Sequence, residues 1–421
     1  MKVLMLNTYD NGGGAANATY RLAEALRSYD IEVDLGVLEK RTNSKFVIEL
    51  KKKKGINLMN NVILKIFIKF IKFFFNTTNK IHTSLDIISK IDINYINSSD
   101  YDLIHLNWIH QDMLSIMDIG KIKKPLVVTL HDSWFCCGAE HHPNVLENDN
   151  RWQLGYFRSN KPNSTKGIDL CKLMWLLKKR YWTKITPNFV APSSWEKNVL
   201  KTSYLYKNSF CEVIPNIINH KEFHQIENDD LREIFSIPKD KIVLGFGAAY
   251  GVDDPKSIKG TFYLINALKL LQNYNNYFIV IFGSTSPKFT KCLNIPYYQT
   301  GFINDNSILA KIYNVIDIFL NPSIIESFGL TTMEAMCCGV PTVAFDLGGT
   351  TDIIEHKKNG YMAKPYSIED FKNGIIYCSN NIEKLKTQCL LDANQKFNNK
   401  EIVDKYIKVY NYTLTESITN N

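Results

Sequence analysis

Short apolar runs alternate with helical patterns along the chain, and this alternation constrains the fold more than any other feature. Short apolar runs bounded by turn residues are typical of buried strands, and helices between them are typical of parallel crossover connections. The predicted strands are Val3–Asn7, Val33–Leu38, Leu103–Leu106, Leu126–Leu130, Phe189–Ala191, Glu212–Ile214, Ile242–Gly247, Phe278–Phe282, Tyr297–Thr300, Ile316–Leu320 and Thr342–Phe345. The pattern therefore predicts an α/β protein with parallel sheets covered by helices on both faces.

The length of the chain indicates more than one domain. Its 421 residues exceed what one hydrophobic core usually holds, so two domains of about 200 residues each are expected. The polar stretch Asn219–Asp230 is the best candidate for a linker. We predict one domain over 1–218, a second over 219–400, and a helix over 401–421 that packs back on the first domain.

The net charge of +8 is a local feature. Eight lysines and no acidic residue lie between Leu50 and Leu85, so the rest of the chain is neutral. A nucleic-acid-binding protein carries a broader basic surface. The charge distribution therefore argues against nucleic acid as a partner.

The lysine-rich region allows two interpretations. Within Val62–Phe75, Lys65, Lys69 and Lys72 share one helical face, and the other positions are mostly apolar. Such a helix can bind an anionic membrane surface, helped by the preceding lysines Lys51–Lys54. It can equally pack on the first sheet with its lysines reaching outward. We expect the region Lys51–Phe75 to contact an anionic membrane surface.

The cysteine pattern and the apolar runs indicate where the protein works. Nine cysteines occur without a C-x-x-C pair, which favours reduced thiols in an intracellular protein. The apolar run Met1–Leu6 is too short for a signal peptide. A membrane-spanning helix needs about 18 or more consecutive apolar residues, and none are found. We expect a cytoplasmic protein, peripheral on the inner face of the cytoplasmic membrane.

Residues 321–341 hold the strongest functional pattern. Glu326 follows a predicted strand, and a helix is predicted to begin near Thr331. The free N–H groups and the dipole at a helix start can bind a diphosphate. Glu326 could accept hydrogen bonds from sugar hydroxyls, and Glu334, in the first turn, from ribose hydroxyls. Thr331 and Glu334 also fit a capping box, which would be structural.

The whole string resembles the E-x7-E element of the retaining family-4 glycosyltransferases. The glycine loop Gly12–Gly14 and the pair His131-Asp132 resemble further elements of this family. Lys259-Gly260 resembles its cationic pair, although Asp254 stands where the family usually has Arg. The resemblance implies the GT-B fold, with two doubly wound Rossmann-like domains facing a central cleft. It also implies transfer without a metal or another cofactor, with a nucleotide-diphosphate sugar as co-substrate.

The resemblance also implies a set of site residues. The catalytic residues would be Glu326, His131 and Lys259. The donor would be bound by Gly13, Gly14, Lys259, Gly260, Ser327, Phe328, Gly329, Leu330, Thr331 and Glu334. Asp132, Glu140 and His141 are expected on the acceptor side. The string from Cys136 to His142 also suggests zinc, but it lacks the paired ligand spacing of a structural zinc site.

We predict that the enzyme moves a hexose to a saccharide acceptor, lipid-linked, in the synthesis of a bacterial cell-surface polysaccharide. One alternative is a non-catalytic membrane scaffold that binds nucleotide sugars, because Asp254 replaces the usual cation. Another is a dinucleotide-dependent oxidoreductase, suggested by the glycines Gly245, Gly247 and Gly251. The strand after this motif ends at Phe282-Gly283-Ser284 without the acid that binds ribose.

Overall fold

A computed structural model describes residues 1–53, 75–77, 81–144, 147–227, 230–248, 254, 257–284 and 287–419. The chain divides into two compact units. The first comprises Met1–Ile214 and Val403–Asn421, and the second comprises Pro215–Ile402. Nearly all of the predicted helix Val62–Phe75 lies outside the described residues, so its contact with a membrane remains a prediction.

The first unit contains a parallel sheet. Its strands, with one additional pair, are β1 (Lys2–Tyr9), β2 (Glu32–Glu39), β3 (Val47–Glu49), β4 (Phe75–Thr77), β5 (Leu103–Leu106), β6 (Leu126–Thr129), β7 (Thr165–Gly167), β8 (Asn188–Ala191) and β9 (Cys211–Val213). The strand order is β3-β2-β1-β5-β6-β8-β9, and every neighbouring pair is parallel. The short strands β4 and β7 form a separate antiparallel pair.

Helices flank this sheet. They are α1 (Gly14–Ser28), α2 (Ile93–Ser98), α3 (Ile116–Ile119), α4 (Arg151–Leu154), α5 (Leu170–Tyr181) and α6 (Ser194–Thr202). The central strand β1 reads as a continuous apolar run because both of its faces are covered, and Val3 to Leu6 are fully buried. A strand with one face in water would instead alternate apolar and polar residues.

The second unit contains another parallel sheet. Its strands are β10 (Ile242–Ala248), β11 (Tyr277–Gly283), β12 (Tyr297–Gly301), β13 (Ile318–Asn321), β14 (Thr342–Phe345) and β15 (Gly360–Ala363). The order β12-β11-β10-β13-β14-β15 is the 3-2-1-4-5-6 order of a doubly wound Rossmann sheet. The strand order runs outward in one direction from β10 to β12 and in the other from β13 to β15. The gap between β10 and β13 is therefore the topological switch point of the sheet.

The remaining helices follow in chain order. They are α7 (Leu231–Ile234), α8 (Thr261–Lys269), α9 (Pro287–Thr290), α10 (Asn306–Val315), α11 (Leu330–Cys337), α12 (Ile368–Ser379), α13 (Ile382–Lys396) and α14 (Asn399–Thr419). From Val403 onward, α14 belongs to the first unit. There, Tyr410 Oη lies 2.8 Å from His105 Nδ1, and His105 Nε2 lies 2.8 Å from Thr129 Oγ1. Burial lowers the pKa of His105 to about 3, so this histidine is neutral.

The predicted fold class is confirmed, since two parallel sheets form two Rossmann-like α/β units. The predicted strands are all present, and their ends differ from the predicted ends by at most two residues. The strands β3, β4, β7 and β15 were not predicted from the sequence. The nine cysteines are all free, and Cys292 alone among them is exposed. Among the described residues, no helix combines the length and the apolar character that crossing a membrane requires.

Candidate functional site

The carboxyl ends of β10 and β13 bring together two segments that are distant in sequence. The segment before α8 carries Lys259, and the loop after β13 carries Glu326. The backbone N–H of Ile324 donates to the carbonyl of Ile258 at 2.8 Å, which joins the two segments. In open α/β sheets, ligands bind outside the carboxyl ends of the strands at such a switch point.

Lys259 and Glu326 form an ion pair at this edge. Lys259 Nζ lies 2.8 Å from Glu326 Oε1, and the two side chains are 27% and 22% exposed. Solvent, and therefore a ligand, can reach both groups. The ammonium group can neutralise a phosphate, and the carboxylate can accept hydrogen bonds from hydroxyl groups.

Gly260 makes this arrangement possible. Its φ of +65° is left-handed, and a Cβ at this position would lie 1.8 Å from the carbonyl oxygen of Pro322. Only glycine combines this backbone conformation with so close an approach. Gly260 thereby holds the Lys259 segment against the loop that leads to Glu326.

The helix α11 begins beside this loop. Its N-cap residue is Gly329, at φ +101°, and its first residue is Leu330. Because glycine has no side chain, the first N–H groups are not capped from this position, and they can bind an anion. The capping-box interpretation is wrong, since Thr331 is already inside the helix. Glu334 lies beyond the first turn, which corrects the predicted position.

Glu334 is enclosed by the second unit. It is 5% exposed, and Tyr313 Oη donates to its Oε2 at 3.3 Å. Its predicted contact with ribose remains a prediction. The neighbouring Ser327 and Phe328 are also buried.

Gly349 holds the backbone of the loop that carries Glu326. The N–H of Gly349 donates to the carbonyl of Glu326 at 2.7 Å. A Cβ on Gly349 would lie 2.2 Å from the carbonyl oxygen of Ser327. The backbone around Glu326 is thus held by close backbone packing, while the Glu326 carboxylate remains accessible.

In the first unit, the glycine loop after β1 is fastened to the segment after β2. The Asp10 carboxylate accepts hydrogen bonds from the N–H groups of Arg41, at 2.7 Å, and Thr42, at 2.8 Å. Gly13 is the N-cap of α1, and its φ of 172° is an extended conformation that any residue adopts. A Cβ on Gly13 would meet nothing within 4 Å. Glycine at this position therefore leaves space in front of the start of α1, where Gly14 is the first residue.

His131 follows β6 and is half-buried. Its Nε2 lies 3.0 Å from Asn107 Oδ1 and 3.4 Å from Thr19 Oγ1. Burial lowers the pKa of His131 to about 4, against an opposing effect of Asp132. The imidazole is therefore neutral at pH 7 and donates through Nε2 to the Asn107 amide oxygen.

Asp132 is the centre of a buried polar network. Its Oδ2 lies 2.6 Å from His141 Nδ1, 3.0 Å from Trp108 Nε1 and 3.7 Å from His110 Nε2. Burial raises the pKa of Asp132, but the nearby histidines, His141 first, lower it below the usual range of a carboxyl. Asp132 is therefore an ionised hydrogen-bond acceptor.

Asp132, His110 and His141 could also hold a metal ion, since one ligand atom from each lies within 4.8 Å of the others. The outer nitrogens of the histidines have partners, with His110 Nδ1 2.6 Å from Asp86 Oδ2 and His141 Nε2 2.8 Å from Ser84 Oγ. Such partners occur in metal sites. However, the short Asp132–His141 contact has the length of a hydrogen bond, and it already satisfies both groups.

The neighbouring Cys136 and Cys137 are buried free thiols. Burial raises the pKa of both thiols well above the usual value. Among the described residues, the group of three possible ligands that lie close enough to share a metal ion contains neither cysteine.

Glu140 belongs to a second buried network. Its Oε1 lies 3.4 Å from an Arg151 nitrogen, and Tyr156 Oη donates to its Oε2 at 3.3 Å. Burial raises the pKa of Glu140, and Arg151 opposes this rise. Asp132, Glu140 and His141, predicted on the acceptor side, are all buried. Their place on the acceptor side stays a prediction.

The sequence did not single out Lys178, which is 0% exposed. Its Nζ donates to the carbonyl oxygens of Cys137, at 3.2 Å, Gly138, at 2.7 Å, and Trp134. It also lies 3.6 Å from the centre of the Trp134 ring. Lys178 stands beside Lys179 and Arg180 near the end of α5. The available signal was its helical spacing, four residues after the buried Met174.

Comparisons with known proteins identify the family to which the chain belongs. Residues 12–222 match the family model described as Glycosyltransferase Family 4, and residues 228–389 match the model for Glycosyl transferases group 1. An uncharacterized glycosyltransferase of Methanocaldococcus jannaschii is 27% identical over 51% of this chain and 63% of its own length. The chain therefore spans less than two thirds of that relative. An uncharacterized 41.2 kDa protein in the cps region of Klebsiella pneumoniae is 23% identical over 80% of this chain and 87% of its own length.

A solved structure shares the fold. The Anabaena protein HepE, in complex with UDP and glucose, has a TM-score of 0.65 at 17% identity, covering 98% of this chain and 100% of that chain. The oxidoreductase alternative is excluded by the family models, which match both halves of the chain. The chain belongs to glycosyltransferase family 4, and its two Rossmann-like units have the GT-B fold.

Proposed function

We propose that this glycosyltransferase moves a hexose from a nucleotide-diphosphate sugar to a saccharide acceptor with retention of configuration and without a metal ion. The observation that carries the proposal is the Lys259–Glu326 pair, with its 2.8 Å contact, at the switch point of the second sheet. A cation and a hydrogen-bond acceptor stand there beside the uncapped start of α11. Together they match the two ends of a sugar diphosphate.

The chemistry follows from where charge develops. As the bond to the diphosphate breaks, negative charge grows on the leaving phosphate, and the sugar becomes positively charged. Lys259 and the N–H groups at Leu330 and Thr331 would stabilise the phosphate. Glu326 would accept hydrogen bonds from the sugar hydroxyls. The leaving phosphate would take the proton of the acceptor, so no protein nucleophile is assigned.

The donor would also change the Lys259–Glu326 pair. A diphosphate offers Lys259 more negative charge than one carboxylate does. Lys259 would then turn toward the phosphate, and Glu326 would be released to accept from the sugar. The ion pair would thus keep both groups in place before the donor arrives.

The similar proteins indicate the class of substrates. HepE binds UDP and glucose, which favours a UDP-hexose as donor. The Klebsiella relative lies in the cps region, which favours a role in polysaccharide synthesis. A lipid-linked acceptor would fit the proposed binding of Lys51–Phe75 to the inner face of the cytoplasmic membrane.

The first experiment is to test UDP-glucose and other nucleotide sugars for binding and for turnover. A ligand at 100 times its Kd adds about 2.7 kcal/mol of apparent stability, which a thermal-shift assay detects. Binding with turnover supports the proposal. Binding without turnover, whichever saccharide acceptor is offered, would instead support the non-catalytic scaffold.

The second experiment is Glu326→Gln, which keeps the shape of the side chain and removes its charge. We expect a loss of kcat/KM of about 100-fold, since one lost electrostatic contact in an active site typically costs that much. Glu355→Gln is the matched control, because Glu355 also pairs with a lysine at 2.8 Å in the same unit. Near-normal kcat/KM for Glu326→Gln would move the active site elsewhere.

A further inference from the structure

A cavity opens at the carboxyl ends of β1 and β2 in the first unit. Its volume is about 350 Å³, and its lining includes Tyr9, Glu39, Lys52, Lys53, Lys90 and Gln111. Sites for small molecules start at about 300 Å³, so this cavity could hold a phosphorylated sugar. The cavity and the Lys259–Glu326 pair belong to different units.

Backbone hydrogen bonds place the lysines around this cavity. The N–H of Lys53 donates to the carbonyl of Lys90, and the N–H of Lys90 donates to the carbonyl of Asp112, both at 2.7 Å. Lys52 forms a bridge with Ile91. The segments around Lys53, Lys90 and Asp112 are thus joined by backbone hydrogen bonds. These bonds fix the backbone positions of the lysines at the cavity.

The backbone is strained at Gln111, which lines the cavity, and at the following residue, Asp112. Gln111 and Asp112 have φ values of +59° and +64°, which residues other than glycine rarely adopt. This turn lets the carbonyl of Gln111 accept from Lys90 Nζ at 2.7 Å. Such strain persists only where surrounding contacts impose it, and it is frequent at functional sites.

The lining of the cavity is positively charged. Lys52, Lys53 and Lys90 contribute three cations, and Glu39 is the acid among the lining residues. Glu39 is already engaged by Arg41, whose Nε lies 2.9 Å from Glu39 Oε1. Lys52 keeps a long 4.0 Å contact with Glu49 and is largely exposed. An anion entering the cavity would meet a net positive charge.

We infer that the acceptor of this enzyme carries a phosphoryl group, and that the cavity lined by Lys52, Lys53 and Lys90 binds it. This inference rests on the proposed transfer function and adds the chemical class of the acceptor. A phosphoryl group offers three oxygens to several ammonium groups at once, which a neutral hydroxyl cannot do. The cavity lies beside the glycine loop, because Tyr9 lines it and Arg41, stacked 3.5 Å above the Tyr9 ring, also donates to the Asn11 carbonyl.

The first test measures binding of inorganic phosphate to the full chain at low salt. The double variant Lys52→Ala, Lys53→Ala removes two cations and keeps the backbone N–H of residue 53. The variant loses two charge-assisted contacts to the anion, and water weakens both because the lysines are exposed. We therefore expect the Kd for phosphate to rise about tenfold.

Two control variants separate this site from other effects. Lys51→Ala removes an exposed neighbouring lysine that does not line the cavity, and phosphate affinity should stay within about twofold. Lys259→Ala removes the lysine of the site in the second unit, and phosphate should still bind the cavity in the first unit. An equal loss from Lys51→Ala and from the double variant would overturn the inference, as would loss of all phosphate binding in Lys259→Ala. Circular dichroism checks that the double variant is folded.

A kinetic test distinguishes this inference from the proposed function. Transfer is measured to a neutral saccharide and to the same saccharide carrying a phosphate monoester. We expect kcat/KM for the phosphorylated acceptor alone to fall about tenfold in the double variant, because it alone contacts the lysines. Transfer that ignores the phosphate overturns the inference and leaves the proposed function standing. Absence of transfer to any acceptor removes the proposed function, and the inference with it, even if phosphate binds the cavity.

A last comparison distinguishes phosphate on a membrane surface from soluble phosphate. Vesicles containing phosphatidylglycerol present phosphate at a flat surface, while soluble phosphate can enter the cavity. Binding to vesicles should depend on Lys51 as much as on Lys52 and Lys53, because surface charges act together. If soluble phosphate binds with the same dependence on Lys51, the cavity is part of a membrane surface and the inference is wrong.

Discussion

Replacing Gly260 by alanine tests how the second unit positions Lys259. The added methyl group would have its carbon 1.8 Å from the carbonyl oxygen of Pro322, whereas real contacts of this kind stay beyond 3.0 Å. One of the two segments must therefore move by more than an ångström. Alanine must also adopt a φ of +65°, which L residues rarely do.

The cost has two parts. The left-handed conformation costs about 1 kcal/mol relative to glycine. Overpacking adds about 1–3 kcal/mol. We therefore expect Gly260→Ala to lower the free energy of unfolding of the second unit by about 2–4 kcal/mol. Displacing Lys259 from Glu326 by about 1 Å should also lower kcat/KM by about 100-fold.

Gly301 provides a matched control within the same unit. It has a similar left-handed φ of +73°, but a Cβ there would meet nothing within 4 Å. Gly301→Ala thus carries the conformational cost without the clash, and should cost about 1 kcal/mol. Urea unfolding gives the stability of both variants, and transfer from the true donor gives kcat/KM.

The comparison between the two variants decides the outcome. If Gly260→Ala and Gly301→Ala lose equal stability and both keep normal kcat/KM, the close approach to Pro322 does not position Lys259. The argument that glycine is required beside this lysine would then be refuted. A loss confined to Gly260→Ala supports it.

Four further predictions follow from the same structure and sequence. Lys259→Ala should weaken donor binding or the transition state by about 1.5–3 kcal/mol, which titration and kcat/KM measure; unchanged values would move the phosphate site. Burial lowers the pKa of Lys178 to about 7 from 10.5, so between these values the unfolded chain holds a proton that the folded chain has lost, and stability rises with pH. Lys178→Met should remove this rise in urea unfolding measured across that window, and an unaltered pH dependence would contradict the assigned pKa. Transfer should survive EDTA, and a loss that zinc reverses would establish a metal site. Replacing Lys65, Lys69 and Lys72 by Glu should release the protein from anionic vesicles, and wild-type protein that never sediments with vesicles would contradict the membrane prediction.

The fold was predictable because buried strands leave a direct mark on the sequence. The run Leu103–Leu106 is apolar except for His105 because helices cover both faces of its sheet, and the structure has the strand with these ends. The start of α11 was misplaced by one residue, because Gly329 adopts a left-handed N-cap that the Thr331 pattern concealed. Helix ends depend on single backbone angles, which composition does not fix.

The contacts of the site were less predictable than its residues. Glu326 and Lys259 were both identified, but 67 residues separate them, and their pairing depends on the order of β10 and β13. The network around Asp132 likewise joins segments after β5 and β6. Lys178 was missed because its carbonyl partners come from a loop 40 residues away.

The return of α14 to the first unit has a consequence for synthesis on the ribosome. His105 meets Tyr410 across 305 residues of chain, and the whole second unit lies between them. Residues Pro215–Ile402 are contiguous, so they can fold as soon as they have emerged, whereas the earlier unit must wait. Contacts so distant along the chain also form slowly. Of the two units, the one that is translated first is therefore completed last, and until then His105 lacks its contact with Tyr410.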